Sequence, residues 1–262
     1  MKKFALIFCL ALIWAFAQTP SLQAQDLPPG FKTYYNLGMD MRLSKRWTAR
    51  VKQLYGFEID SSYYLKLLLN TASFEYRPGK NTRVEVAYRP MYFRGNTRFL
   101  WYHRISLKAS QRLRLDKFSW KNSLTAEWFF PVLAKYEYRF ILASRLYGPS
   151  ILPWKGKPYL QGQLYYYLNG KPLKYYDEGG DLIVTQSPND FHRYRLSIGA
   201  RFRPARSLRL SLYYTLQREF NTGLTQNRDI NVPNRSGSKI RYPFNDYSVL
   251  GLSLTFKLDL RK

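Results

Sequence analysis

From Lys117 to Phe130 large apolar and polar side chains alternate for fourteen residues. Phe118, Trp120, Leu124, Ala126, Trp128 and Phe130 share one face of a strand, and Ser119, Lys121, Ser123, Thr125 and Glu127 share the other. A soluble strand usually runs five or six residues, whereas a tilted strand crossing a bilayer needs about ten. The same period recurs along the chain. It predicts strands over Phe31–Leu43, from Trp47 to Glu58, over Tyr63–Arg77, from Val84 to Tyr92, over Phe99–Leu115, Tyr136–Leu146, Tyr159–Leu168 and Arg193–Phe202, from Leu208 to Glu219, and from Leu250 to Leu260. In the third of these the apolar phase changes between Leu65, Leu67, Leu69 and Ala72, Phe74, Tyr76, which predicts a β-bulge near Asn70.

These segments make eleven strands, and a short stretch at Leu182–Thr185 offers another. Short connections follow the odd strands and longer ones most even strands, as in periplasmic turns and external loops. An even strand number is the rule for bacterial single-chain barrels, so the expectation is twelve, with ten as the fallback. The predicted class is all-β, a transmembrane antiparallel up-and-down β-barrel forming one domain over residues 25–262. A soluble barrel or sandwich would alternate in the same way. The strands are too long for that reading, and a small soluble interior could hardly hold so many Trp, Tyr and Phe side chains, so the apolar face is assigned to lipid.

The N-terminus has Lys2 and Lys3, an apolar run from Phe4 to Ala17 and a polar stretch ending at Ala24. That order predicts a secretory signal peptide, residues 1–24, cleaved after Ala24. The single cysteine, Cys9, leaves with it, so disulfides, thiolate chemistry and cysteine-held metals are not expected in the mature chain. Aromatic residues make up 18% of the sequence, with 23 Tyr and 6 Trp, residues that favour the membrane–water boundary. Export to the bacterial outer membrane is the expected localisation.

The formal charge of +25 would suggest nucleic acid in a cytosolic chain. Export argues against that partner, and the basic residues are spread through strands. The anionic partners left are outer-membrane lipid, lipopolysaccharide phosphates and small anionic solutes. The lumen-lining candidates are Arg83, Glu85, Arg89, Arg104, Lys108, Lys121, Glu127, Glu137, Arg139, Arg145, Arg193, Arg195, Arg201, Arg203 and Arg209. Arg42, Arg50, Lys52 and Lys135 share the polar face with them, as do the acids Asp40, Glu58 and Glu219. Crowded cations in a low-dielectric tube repel one another unless acids, anions or water intervene. An Arg–Glu ladder plugging a narrow barrel and an anion-preferring pore are both compatible with this face.

A serine or acyl-transfer site needs a base beside its nucleophile. His103 shares the phase of Trp101 and Ile105, and His192 that of Tyr194 and Leu196, so both are expected to face lipid or the interface. Ser106, Ser110 and Ser123 face inward with no histidine in register, and Glu85, Glu127 and Glu137 read as salt-bridge partners. No catalytic signature, cofactor motif or metal-ligand spacing is expected. A lipid- or lipopolysaccharide-modifying enzyme with its site at the outer loops is the alternative.

Two segments carry a family likeness: Leu43-Ser44-Lys45-Arg46-Trp47 between the first two strands, and Phe191-His192-Arg193-Tyr194-Arg195-Leu196 at the start of the ninth. With them the chain resembles an uncharacterised family of outer-membrane barrels from Bacteroidetes-type bacteria, catalogued as domain of unknown function 2490, over nearly the whole mature chain. The resemblance implies architecture and no established activity. The chain also looks like the small basic porins that pass acidic oligosaccharides, in strand number and inward arginines. It departs from the usual barrel ending on an aromatic residue, since it closes Leu260-Arg261-Lys262 with Phe256 the nearest aromatic.

Overall fold

In the computed structural model, which describes residues 30–59, 63–94, 99–133, 135–177, 179–221, 230–237, 240 and 244–261, the alternating segments are strands. The expected signal peptide lies outside the described residues. The strands are β1 (Gly30–Arg42), β2 (Trp47–Ile59), β3 (Tyr63–Tyr76), β4 (Thr82–Tyr88), β5 (Met91–Arg94), β6 (Phe99–Leu115) and β7 (Phe118–Leu133). They continue as β8 (Tyr136–Tyr147), β9 (Lys157–Leu168), β10 (Leu173–Tyr176), β11 (Leu182–Gln186), β12 (Asp190–Ala205), β13 (Leu208–Glu219) and β14 (Tyr247–Asp259). Twelve of them form one closed sheet, and β10 pairs only with β11.

The twelve strands occupy eleven places around the ring. Pro90 has no N–H to give a ladder, so one long strand is split into β4 and β5, which lie end to end between β3 and β6. Backbone bonds between Arg89 and Arg104, at 2.7 and 3.1 Å, carry the pairing across the break. With eleven places in an up-and-down order, the first and last strands must run the same way. β1 accordingly pairs parallel with β14, from Gly30–Tyr247 to Arg42–Asp259, the one departure from antiparallel pairing in the sheet. The short strand expected near Leu182 exists, as β11, but it stands in a separate hairpin outside the ring.

Alternation sorts the two surfaces. Val51, Phe74, Val86, Leu107, Leu124, Leu142, Leu160, Ile198, Leu212 and Leu250 are all exposed on the outside. Inside lie Arg, Glu, Gln, Ser and Thr: Glu75, Ser106, Thr125, Glu127, Gln161, Thr215 and Gln217 are all buried. A soluble barrel has the reverse arrangement. An apolar exterior around a polar, hydrogen-bonded interior is stable only where the outer solvent is hydrocarbon. Inward tyrosines fill space over glycines: Tyr213 lies across Gly251, where a Cβ would sit 2.0 Å from the ring, and Tyr159 lies across Gly199.

Among the described residues the register shifts at four places in the ring, one of them between Phe202 and Ala205 of β12. The extra residue of β3 is Lys66, opposite Gly56–Phe57, rather than a residue near Asn70, and it leaves Leu67 and Leu69 on the phase of the inward-facing Leu54. A shift in β7–β8 separates Trp128–Tyr138 from Leu133–Tyr136, and another in β12 falls between Phe191 and Arg193.

Candidate functional site

Connections of two to nine residues, including Asp116-Lys117 and Arg206-Ser207, join strands at one end of the barrel. The connection carrying the β10–β11 hairpin, and Ile230 and Phe244 from the connection between β13 and β14, lie at the other. The interior differs between these ends.

At the long-connection end the lumen is stoppered. Phe129, Tyr136, Ile141, Tyr165 and Tyr167 from the wall pack with Ile230 and Phe244 from the connection between β13 and β14. Tyr136 stacks on Tyr167 with centroids 4.5 Å apart, and Tyr167 meets Phe244 at 5.7 Å. Asn231 fastens Phe244 at both backbone groups: its Nδ2 donates to the Phe244 carbonyl at 2.9 Å, and its Oδ1 accepts from the Phe244 N–H at 2.5 Å. Below this layer the Arg139 guanidinium lies 5.1 Å from the Phe129 centroid and 5.3 Å from that of Tyr136.

Glu127, 5% exposed, sits among three arginines. Arg139 reaches it through Nη2 at 2.5 Å and Nε at 2.7 Å, Arg104 at 3.3 Å and Arg89 at 3.5 Å. Arg193 pairs with Glu219 at 2.6 Å on the opposite wall. Four of the lumen candidates, Arg104, Glu127, Arg139 and Arg193, therefore belong to a paired, closed layer.

Towards the short-turn end the lumen opens into a cavity of about 870 Å³, and a second of about 370 Å³ shares Lys52, Arg145, Gln161, Gln163, Arg201 and Arg209 with it. The larger reaches the rim, where Arg206, Ser207 and Asp259 line it. Fifteen Lys and Arg residues line it against four acids, Asp40, Glu75, Glu85 and Asp259. Arg83, Glu85, Arg89, Lys108, Lys121, Arg145, Arg201, Arg203 and Arg209 are on this surface, and Arg195 lines the smaller cavity.

The charges are unevenly placed. Glu75, Glu85 and Asp40 stand on β1, β3 and β4, and Arg50 on β2 bridges all three at 2.6, 2.6 and 3.3 Å. Arg77 and Arg83 add bonds to Glu75 at 3.1 and 3.2 Å. The facing wall, β6 to β9 with β12, presents Lys108, Arg112, Lys121, Arg145 and Arg201, and among the described residues none of these has an ion pair within 4 Å. Arg145 is instead held by neutral acceptors, Gln161 Oε1 and the Tyr147 hydroxyl, the latter at 3.0 Å. The Nε atoms of Arg42, Arg201 and Arg209 are buried without a hydrogen-bond partner.

Three expectations are corrected. Glu137 is not in the lumen: it sits on the rim, accepting from Trp128 Nε1 at 3.2 Å and from Asn169 Nδ2. Tyr136, which simple alternation with Tyr138, Phe140 and Leu142 would set towards lipid, points inward, because the β7–β8 register shift inverts the phase there. His192, expected to face outward, is 1% exposed. It is the extra residue of the β12 bulge, with Nε2 3.1 Å from the Pro188 carbonyl, Nδ1 3.2 Å from the Phe220 carbonyl, and its ring against Tyr167 and Phe244. His103 does face outward, its Nδ1 2.7 Å from the Tyr88 hydroxyl and its ring on Phe130.

Strand-phase reasoning overlooked Glu75, Arg77, Arg112, Tyr147, Gln161 and Lys257 on the cavity wall and the whole aromatic stopper. The pairs Phe129-Phe130 and Tyr166-Tyr167 place aromatics on both faces of a strand, a signal that one of each enters the interior.

No protein-family model matches the chain. No curated protein matches it. Among solved structures it is similar to the translocator domain of the autotransporter NalP from Neisseria meningitidis, at 9% sequence identity and a TM-score of 0.36, over 66% of this chain and 69% of that one.

Proposed function

We propose that this chain is an outer-membrane β-barrel whose basic vestibule captures small anionic solutes, without catalysing a reaction on them. One observation carries the reading: fifteen cations against four acids around an open cavity, with the acids gathered on one wall and already paired. Such a surface gathers anions from solution by its summed field and lacks the counter-charges a plain structural ladder would contain. The stopper makes the vestibule one-ended, so binding comes first and passage requires Phe244 and its neighbours to move. His192 is engaged with two carbonyls and two rings, and His103 faces lipid, so neither is presented to the cavity.

Ligands that bind only the folded state raise its stability by about 2.7 kcal/mol at a hundred times their dissociation constant. Citrate or pyrophosphate is therefore expected to raise the unfolding midpoint of the detergent-solubilised barrel, followed by the loss of its heat-modifiable gel shift. Potassium chloride at equal ionic strength is expected to leave it nearly unchanged. A midpoint insensitive to every multivalent anion, or raised equally by magnesium, rejects the vestibule reading.

The short turns are assigned to the periplasm, as is general for such barrels. Two cysteine variants check the sidedness in a chain whose native cysteine, Cys9, lies in the expected signal. Ile183→Cys, on the exposed β11, is expected to react with an impermeant maleimide on intact cells. Lys80→Cys, in the turn between β3 and β4, is expected to react only after the outer membrane is permeabilised. The reverse pattern would turn the vestibule outward.

A further inference from the structure

We infer that the acid-free wall of the vestibule holds a specific site for a phosphoryl group, built by Arg112, Arg145 and Arg201 around Tyr147 with Lys121 between them; this rests on the anion-binding reading above. The Tyr147 side chain is buried, and three guanidiniums lie against its ring, Arg201 at 4.8 Å, Arg112 at 5.6 Å and Arg145 at 5.7 Å from the centroid. One phenol thus draws together three cations from β6, β8 and β12. In register, Arg112 stands directly opposite Lys121, and Lys121 directly opposite Arg145. Like charges placed opposite each other on neighbouring strands are destabilising, so a counter-anion seated on this row gains by relieving their repulsion.

The donors that remain define the anion. Arg145 is oriented by Gln161 and by the Tyr147 hydroxyl, which engage Nε and Nη1 and leave Nη2 for a ligand. Arg201 Nε is buried without a hydrogen-bond partner, and its guanidinium lies on the Tyr147 ring with no acidic partner within 4 Å among the described residues. Planar guanidinium forks match the oxygen edges of a phosphate, whereas a lysine acts as a point charge. A carboxylate brings one negative charge and two oxygens to four cations. A phosphomonoester brings nearly two charges and three terminal oxygens, enough to accept from all three forks at once. The cavity of about 870 Å³ leaves room for the organic remainder of a small phosphorylated solute.

The same phosphate chemistry occurs in lipid head groups, but the wall is a closed ladder and the site is reached from the rim. Soluble phosphate is therefore the expected source.

The test is equilibrium dialysis of the full mature chain, in a phosphate-free maltoside detergent at fixed chloride, against radiolabelled inorganic phosphate. Competitors are glycerol 3-phosphate, succinate and phosphatidic acid in the same micelles. Saturable phosphate binding is expected, displaced by glycerol 3-phosphate far better than by succinate and not by phosphatidic acid. Arg145→Gln and Arg201→Gln are each expected to weaken it roughly tenfold or more, the effect of losing a charge-assisted hydrogen bond. Lys45→Gln, on the exposed turn before β2, is expected to leave it unchanged. The heat-modifiable gel shift verifies folding of each variant, and either arginine variant alone suffices if the other fails to fold.

Equal displacement by succinate would overturn the phosphoryl site while leaving the vestibule reading intact. Phosphate binding unaffected by a folded arginine variant would overturn the assignment to this wall. Displacement by phosphatidic acid would overturn the soluble source. Binding of no anion at all would overturn both this site and the vestibule reading.

Discussion

Replacing Glu127 with alanine is expected to destabilise the barrel by about 3–5 kcal/mol, the cost of leaving buried charge without its partner. Glu127 is the shared acceptor for Arg89, Arg104 and Arg139, and its carboxylate is almost wholly enclosed. The lumen there is closed above by the aromatic layer, and Arg104 and Arg139, which hold the carboxylate, are themselves buried beneath it. Arg139 loses two short bonds at once and would face Arg104 across the vacated site. Urea unfolding in detergent micelles is the measurement. The double variant Glu127→Ala with Arg139→Met should recover part of the loss, because it removes the cation that the first change strands. A single-variant loss below about 1 kcal/mol, typical of an exposed pair, would show that solvent reaches this layer.

Opening the stopper is the second large effect. Phe244 is 2% exposed, packs on Tyr167 and His192, and is fastened through its own backbone by Asn231. Phe244→Ala is expected to remove about 3 kcal/mol from the closed arrangement, by lost burial and the cavity left behind. That corresponds to about a hundredfold larger open population, since 1.4 kcal/mol is a factor of ten. In planar bilayers the natural protein is expected to stay closed for long periods, and the variant to open about a hundredfold more often with an anion-preferring reversal potential. A variant that remains as closed as the parent would place the barrier elsewhere. A cation preference in the open state would contradict the charge of the vestibule.

Much of the wall was legible in the sequence. The phase of β1, β2, β6, β7, β13 and β14 follows from period-two alternation alone, and with it the inward setting of Arg50, Lys108, Lys121 and Arg209 and the outward setting of His103. The conversion of eleven alternating segments to twelve rested on a parity rule. The structure matches the count only roughly: one segment splits at Pro90, so twelve strands fill eleven places, and the odd ring closes through the parallel β1–β14 seam. Nothing local in either strand encodes that seam, because parallel and antiparallel neighbours present the same alternation.

The misplaced residues share a cause. Glu137, Tyr136 and His192 all lie at register shifts, where one unpaired residue inverts every phase assignment beyond it. The stopper escaped notice for a related reason: Ile230 and Phe244 reach the lumen from a connection, across more than sixty residues of sequence from Tyr167 in the case of Ile230.

By itself, then, the sequence determined a long-stranded barrel with lipid outside and a basic interior, because side-chain alternation is a local property that each strand carries alone. Only the tertiary structure decided which cations are neutralised, which wall is left bare, and that one end is shut. Ion pairs such as Arg50–Glu75, the gathering of three arginines around Tyr147 and the seating of Phe244 are contacts between distant strands and loops. Their energies depend on register, ring closure and burial, and these exist only once the sheet has closed.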